Sequence, residues 1–582
     1  MNVFIMKRGL FLWGMAALLG AVCLCLPSCS DDKDGVDGPK VEGAPRVAFN
    51  TQSGLYVVKV NKSVELKATV SNALNPEVGW KQDGKIVSRD TVYTFSSKVT
   101  GEYYLKFRVD ADNGSAEEEV RVDVVDKTPP VVSLPIPEAG YLTAVTGQDL
   151  LISPSVKYRE GATYEWILEG QKVGADSVYV FRQTEETEYA MTLTVKNEDG
   201  QDRIAFRMRV VPVPVLNIVF EQEERVVPVG RTLYLQPIVQ NATAAAVYEW
   251  SVDGAVQAGA TGVMFAYTPA GEGEVTVEVT GREGETVERA AVKVKCVAAE
   301  GTYYRKATAT SQVKCNRVYE FLPAPGQFVN EGYTATTMAE ACAYAEERLR
   351  SEAYVSLGGF GGYVVVGFDH SIDNKAGEYD FGITGNSFAG SSEPGIVWVM
   401  QDENGNGLPD DTWYELKGSE SGKPETSQGY AVTYYRPKAP KMDVQWTDSR
   451  GKSGCVDYMA AYHQQDYYYP AWVKENSYTL RGTCLGLRNT QSGETGFWYN
   501  GEYDWGYADN FGNDRLSQDD NQDAAPNSNY FKIEHAVYPD GSPVDLKYID
   551  FVKVQCGVNG KSGWLGEIST EVFGVFDYKM KY

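Results

Sequence analysis

A tryptophan set in the same short phrase recurs three times in the first half of this chain, and it constrains the fold more than any other feature. Val78-Gly79-Trp80-Lys81-Gln82-Asp83-Gly84 returns as Tyr164-Glu165-Trp166-Ile167-Leu168-Glu169-Gly170. It returns again as Tyr248-Glu249-Trp250-Ser251-Val252-Asp253-Gly254, at intervals of 86 and then 84 residues. Self-similarity at a fixed interval marks a tandem of like structural units. Each phrase closes on Asp-Gly or Glu-Gly, which suits a two-residue hairpin whose central positions both take φ > 0. Alternating runs follow in each unit: Tyr103 to Val109 and Glu119 to Val125, Tyr189 to Val195 and Arg203 to Val211, and Val275 to Val279. Period-two patterning in short segments with regular turns predicts antiparallel β-sandwiches, with the tryptophan on the buried face of a middle strand.

These units resemble the PKD-like and Ig-like modules of bacterial surface proteins, although no cysteine pair accompanies the tryptophans. Their expected limits are 44–127, 128–213 and 214–298, with Thr128-Pro129-Pro130 and Pro212-Val213-Pro214 at the joins. Proline favours extended linkers of limited flexibility, so the tandem reads as a stalk. Residues 299–582 differ in character, holding seven of the eleven tryptophans, dense tyrosine runs and all three histidines. Strand-like runs at Tyr363 to Phe368, Ile396 to Met400, Ala431 to Tyr435 and Ile549 to Val554 predict a larger, jelly-roll-like β-sandwich with long loops. One helix is expected, opened by a capping box at Thr337-Met338-Ala339-Glu340 and reaching about Glu352. The fold class is therefore mainly β: three tandem Ig-like or PKD-like sandwiches, then a larger sandwich carrying one helix.

The N-terminus reads as a targeting segment. Lys7 and Arg8 precede an apolar run from Gly9 to Leu26, then Leu26-Pro27-Ser28-Cys29 and an acidic tract. A short cationic start, an apolar core and small residues before the cut describe a secretory signal over 1–28. The cysteine after the cut resembles a bacterial lipobox, which implies acylation of Cys29, a flexible tether over 29–43 and attachment to the membrane through lipid only. The acidic tract resembles the surface-export signal of Bacteroidota lipoproteins, so the expected location is the cell-surface side of an outer membrane.

The net charge is −25, and removal of residues 1–28 takes away two cations and no acids. So acidic a chain is poorly matched to nucleic acid, whose phosphates demand a basic footprint. With Cys29 set aside for the lipid, six cysteines remain after the signal, none in a CxxC spacing, which leaves disulfides and buried free thiols equally open. HExxH, GxSxG and P-loop patterns are absent, and the expectation is a non-enzymatic monomer.

Two local patterns suggest sites. In Asp402-Glu403-Asn404-Gly405-Asn406-Gly407-Leu408-Pro409-Asp410-Asp411, oxygen donors fall at positions one, three, five and nine, with the Leu408 carbonyl at seven and Gly407 at the turn. This is the hard-oxygen logic of a calcium loop, with Asp402, Asn404, Asn406, Leu408 and Asp410 as ligands and a structural role ahead of Trp413 and Tyr414. The usual twelfth-position Glu is replaced by Trp413. The second pattern is an aromatic belt interleaved with amides and acids: Tyr467, Tyr468, Tyr469, Trp472, Trp498, Tyr499, Asn500, Tyr503, Asp504 and Trp505. Rigid rings with polar edges suit a large ring-bearing ligand, either a glycan or a corrinoid.

Several C-terminal strings together resemble the last domain of PKD-containing cell-surface lipoproteins of gut Bacteroidota, similar to the BtuH-type cobalamin-binding proteins. They include Pro323-Ala324-Pro325-Gly326-Gln327-Phe328, Leu357-Gly358-Gly359-Phe360-Gly361-Gly362, Asp410-Asp411-Thr412-Trp413-Tyr414-Glu415-Leu416 and Gly506-Tyr507-Ala508-Asp509-Asn510. The resemblance implies capture of cobalamin or a related corrinoid for hand-over to a TonB-dependent outer-membrane transporter. The alternatives are a glycan-binding surface lipoprotein, or an adhesive or structural protein without a small ligand.

Overall fold

The computed structural model describes residues 44–51, 54–137, 140–213, 215–491, 498–515, 527–563 and 566–581. The expected signal peptide (1–28), Cys29 and the tether (29–43) lie outside the described residues.

All three repeats build the same five-stranded sheet. In the first, its strands run in the order Leu55–Lys59, Gly114–Val125, Gly101–Ala111, Glu77–Gln82, Lys85–Ser88. The second repeats this order with Tyr141–Val145, Gly200–Val211, Glu188–Asn197, Thr163–Leu168 and Gln171–Gly174. The third uses Glu224–Pro228, Thr286–Val297, Gly273–Glu283, Val247–Val252 and Ala255–Val256. Trp80, Trp166 and Trp250 are fully buried on the fourth strand of each sheet. A buried indole N–H needs an acceptor. Here the three Nε1 groups donate to the carbonyls of Thr91 (3.2 Å), Asp176 (2.8 Å) and Gly262 (2.9 Å). The hairpin after each tryptophan has the expected left-handed pair, such as Asp83 at φ +50° with Gly84 at +75°, and Asp253 at +47° with Gly254 at +79°. One feature departs from the antiparallel expectation. The first strand of each sheet pairs in parallel with the last long strand. It arrives at the edge from the facing layer rather than through a hairpin, so no turn signal announces it.

The C-terminal region centres on a six-stranded antiparallel sheet ordered Arg317–Leu322, Tyr363–Asp373, Tyr548–Cys556, Gly395–Met400, Tyr414–Leu416, Ala536–Val537. A four-stranded sheet (Ser453–Val456, Val444–Asp448, Ser427–Tyr435, Ser477–Cys484) and a three-stranded one (Asn527–Phe531, Phe381–Gly385, Gly574–Asp577) share its core. The helix spans Met338–Arg350, with the Thr337 side chain accepting the Glu340 N–H. The reciprocal half of the expected capping box is displaced by one residue, since the Glu340 carboxylate accepts the Thr336 N–H (2.7 Å). A further one-turn helix, Tyr578–Lys581, was not expected. The six described cysteines are all free. No helix among the described residues is long and apolar enough to cross a membrane.

The stalk expectation needs correction, because all three sandwiches bear on the C-terminal domain. From the first, Glu119 O accepts the Tyr462 hydroxyl and Arg121 donates to Ala460 O (3.4 Å). From the second, Lys157 pairs with Asp443 (2.9 Å) and Asp202 with Lys438 (2.8 Å). From the third, Arg231 meets Glu403 (3.0 Å), and the Tyr234 and Tyr538 rings lie 4.7 Å apart.

Trp166→Ala is expected to destabilise the second sandwich by about 3–5 kcal/mol, the usual cost of emptying a core indole site. Trp166→Phe is expected to cost less but to leave the Asp176 carbonyl without its donor. Denaturant unfolding of both variants checks the ranking.

Candidate functional site

A cleft opens where the third sandwich meets the edge of the six-stranded sheet. The sandwich contributes Phe220, Arg225, Thr232 and Tyr234, and the C-terminal domain contributes Trp398, Asp411, Trp413, Tyr414 and Tyr538. Its volume is about 320 Å³. A second hollow of about 500 Å³ lies beside it, lined by Glu415, Lys423, Gln428, Thr483 and Tyr507, and Pro539 borders both. Trp398 and Glu415 are direct cross-strand partners, one lining each hollow. Clefts at domain interfaces, walled by rings and provided with a few polar groups, are the usual form of a small-ligand site.

Several groups here lack full compensation. Trp398 Nε1 is buried with no hydrogen-bond acceptor among the described residues. Burial pushes the Arg225 guanidinium below its ordinary range, and its contact to Thr412 Oγ is long at 3.4 Å. Burial also lifts the Glu415 carboxyl to about 7, against the opposing hydroxyl of Thr483. An unfilled indole donor and a poorly balanced guanidinium thus sit beside tilted and edge-to-face rings, where buried donors lack the acceptors that would offset their desolvation.

The joint itself rests on Arg231, which is 8% exposed. It donates to Gln401 Oε1 (2.6 Å) and pairs with Glu403 (3.0 Å) and Glu300 (2.7 Å). Burial alone would raise Glu300, but the Lys547 N–H, Arg231 and Gln401 reverse it, and the carboxyl lies below its usual range. Burial pushes Glu403 up to about 8 despite Arg231. Thr412 Oγ completes the joint by donating to Val226 O (3.1 Å).

The predicted belt does not form a single face. Tyr468, Tyr469 and Trp472 lie in the main core, and Tyr503 in a smaller one. Their hydroxyls are used internally: Tyr468 on His463 O, Tyr469 on Glu475 O and Tyr503 on Gly486 O, each at 2.9 Å. Asn500 is likewise committed, its Oδ1 accepting from Asn489 (2.7 Å) and Ser562 (3.0 Å). These five side chains are built into the fold, which corrects the expectation that they face a ligand. Tyr467 and Trp498 are half-buried, Tyr499 and Asp504 are exposed, and Trp505 packs on His535 at 4.9 Å. None of the ten lines either hollow.

The loop expected to hold calcium runs beside the cleft. Asp402 Oδ2 accepts the Gly407 N–H (3.0 Å), Asn404 Oδ1 that of Asn406 (2.9 Å) and Asn406 Oδ1 that of Leu408 (2.7 Å). Gly407 takes φ +73°, as a sharp turn requires. Asp410 accepts both asparagine amides, so the expected donors converge.

Residues 44–111 and 129–197 match the PKD-like domain family. No curated protein matches the chain. Solved structures similar to it include the fibronectin(III)-like modules of Clostridium thermocellum CbhA, 18% identical over 29% of this chain and 95% of that one, with a TM-score of 0.17. Extracellular domains 3–5 of Drosophila OTK are 12% identical over 43% and 97%, TM-score 0.18. A titin fragment is 14% identical over 44% and 98%, TM-score 0.18. Two segments of the chain are thus PKD-like domains, set in a structure that is mainly β with tandem sandwiches.

Buried acids predict the pH response. Burial lifts Glu415 to about 7, Glu567 to about 8 and Asp514 to about 6. Their folded values exceed the unfolded ones, so the native state binds more protons and stability falls as pH rises from about 4.5 through 8. Thermal unfolding is expected at higher temperature at pH 5 than at pH 8. Glu415→Gln is expected to reduce the stability lost across that pH range by on the order of 3 kcal/mol.

Proposed function

We propose that this is a non-enzymatic, lipid-anchored surface protein that binds a glycan in the cleft between its third sandwich and its C-terminal domain. The lipobox-like Cys29 supports the anchor. The observation that carries the ligand class is the composition of the cleft. Phe220, Tyr234, Trp398, Trp413, Tyr414 and Tyr538 offer ring faces, with Arg225 and the unpartnered Trp398 N–H as donors. Sugar rings present apolar faces for stacking and a rim of hydroxyl oxygens for such donors.

The corrinoid reading, with hand-over to a TonB-dependent transporter, rests on the resemblance of the C-terminal strings and on the aromatic belt as its contact surface. Five of the ten belt side chains are spent inside the fold, and none of the ten lines either hollow. Glycan capture is the better match to the groups that remain uncompensated.

The full chain is expected to be retarded on at least one immobilised polysaccharide. Trp413→Ala and Arg225→Ala should each weaken binding about tenfold or more, the usual cost of removing a central aromatic or arginine anchor. Trp505→Ala, outside the cleft, should leave it unchanged. Retention that survives Trp413→Ala, or micromolar binding of cyanocobalamin without any polysaccharide retention, would overturn the reading.

A further inference from the structure

We infer that the 402–411 loop is a calcium site that clamps the third sandwich to the C-terminal domain. Oxygen donors at alternating positions, Asp402, Asn404 and Asn406, turn into the loop, and Asp410 closes it by accepting from both asparagine amides at 2.9–3.1 Å. The observation that points to a ligand is Asp402. It is 4% exposed, its Oδ2 is held inside the loop by the Gly407 N–H, and its Oδ1 has no hydrogen-bond partner. A carboxylate oxygen that is desolvated and unpaired costs free energy unless a cation or donor meets it. With the Leu408 carbonyl, the loop supplies five protein oxygens, and water completes the six to eight that calcium takes. Two carboxylates match the charge of one divalent ion.

The residues between the donors face the other way. Glu403, flanked by Asp402 and Asn404, pairs with Arg231 of the third sandwich. Asp411 accepts the Glu403 N–H (2.8 Å) and lines the cleft. Its neighbour Thr412 bonds Val226 O (3.1 Å). A cation that fixes Asp402, Asn404 and Asp410 therefore also fixes Glu403, Asp411 and Thr412. Loop occupancy then sets how tightly the two domains meet and how well the cleft is formed. The cation site stands apart from the glycan reading; only its effect on ligand affinity rests on that reading.

Calorimetric titration of the chelator-stripped full chain with calcium chloride is expected to show one site, with Kd on the order of 10⁻⁵–10⁻³ M for a module with few charged ligands. Magnesium should bind more weakly, and Asp410→Ala should weaken calcium about tenfold or more. Hydrogen exchange of residues 224–236 is expected to slow on adding calcium. In Glu403→Gln, which keeps the donors but removes the charge facing Arg231, calcium should still bind while the protection gained at 224–236 falls. Absence of a calcium isotherm would overturn the site. An isotherm with unchanged exchange at 224–236 would overturn the clamp. Neither readout uses a glycan, so each outcome is separable from failure of the ligand proposal.

Discussion

One buried guanidinium organises the functional end of this molecule. Arg231 leaves water to meet Gln401, Glu403 and Glu300, on the far side of the joint and in the segment that links the two domains. The desolvation of such a group is repaid only when its partners are all in place, so misdocking of the third sandwich costs several kcal/mol. That makes the network a device for register more than for raw stability. With this edge pinned, the Tyr234 and Tyr538 rings pack at a tilt of 42°, Thr412 reaches Val226 O, and a cleft stays open between the two domains.

Much of the modular half was legible because its signals are local. A tryptophan, a two-residue turn and alternating strands lie within about forty residues of one another in each repeat, and the structure has all three in the expected places. The parallel edge strand escaped notice since its pairing is non-local and follows no turn. The larger fold of the C-terminal region was readable from its apolar runs and its helix cap. Its site was not. Tyr468, Tyr469 and Trp472 look in sequence like an exposed belt, yet each polar tip of the two tyrosines finds a backbone carbonyl a few residues away, which lets the ring enter the core. Conversely, Trp398 reads as one apolar residue in a buried strand, and nothing local shows that its N–H faces a hollow. Phe220, Arg225 and Tyr234 could not be connected with that hollow at all, because only domain docking brings them there. The loop at 402–411 was visible through its spacing, and its adjacency to Trp413 and Tyr414 was already apparent.

The C-terminal domain also carries an unusual load of buried acid. Glu393, Asp509 and Glu571 meet in one cluster, where burial and mutual repulsion raise Asp509 and Glu571 well above the ordinary range. Both Asp509 oxygens are held by backbone N–H groups, those of Asn386 (2.8 Å) and Glu571 (2.9 Å). Such groups stitch together distant loops at a cost that protonation relieves. They give the domain a preference for mildly acidic conditions.

The three sandwiches fold back on the C-terminal domain instead of holding it at the end of a stalk. Small-angle X-ray scattering on residues 44–582 tests this most directly. A compact body of that length has a radius of gyration of about 24 Å. A value close to this is predicted. A much larger radius, with the elongated distance distribution of beads on a string, would contradict the account and remove the cleft with it.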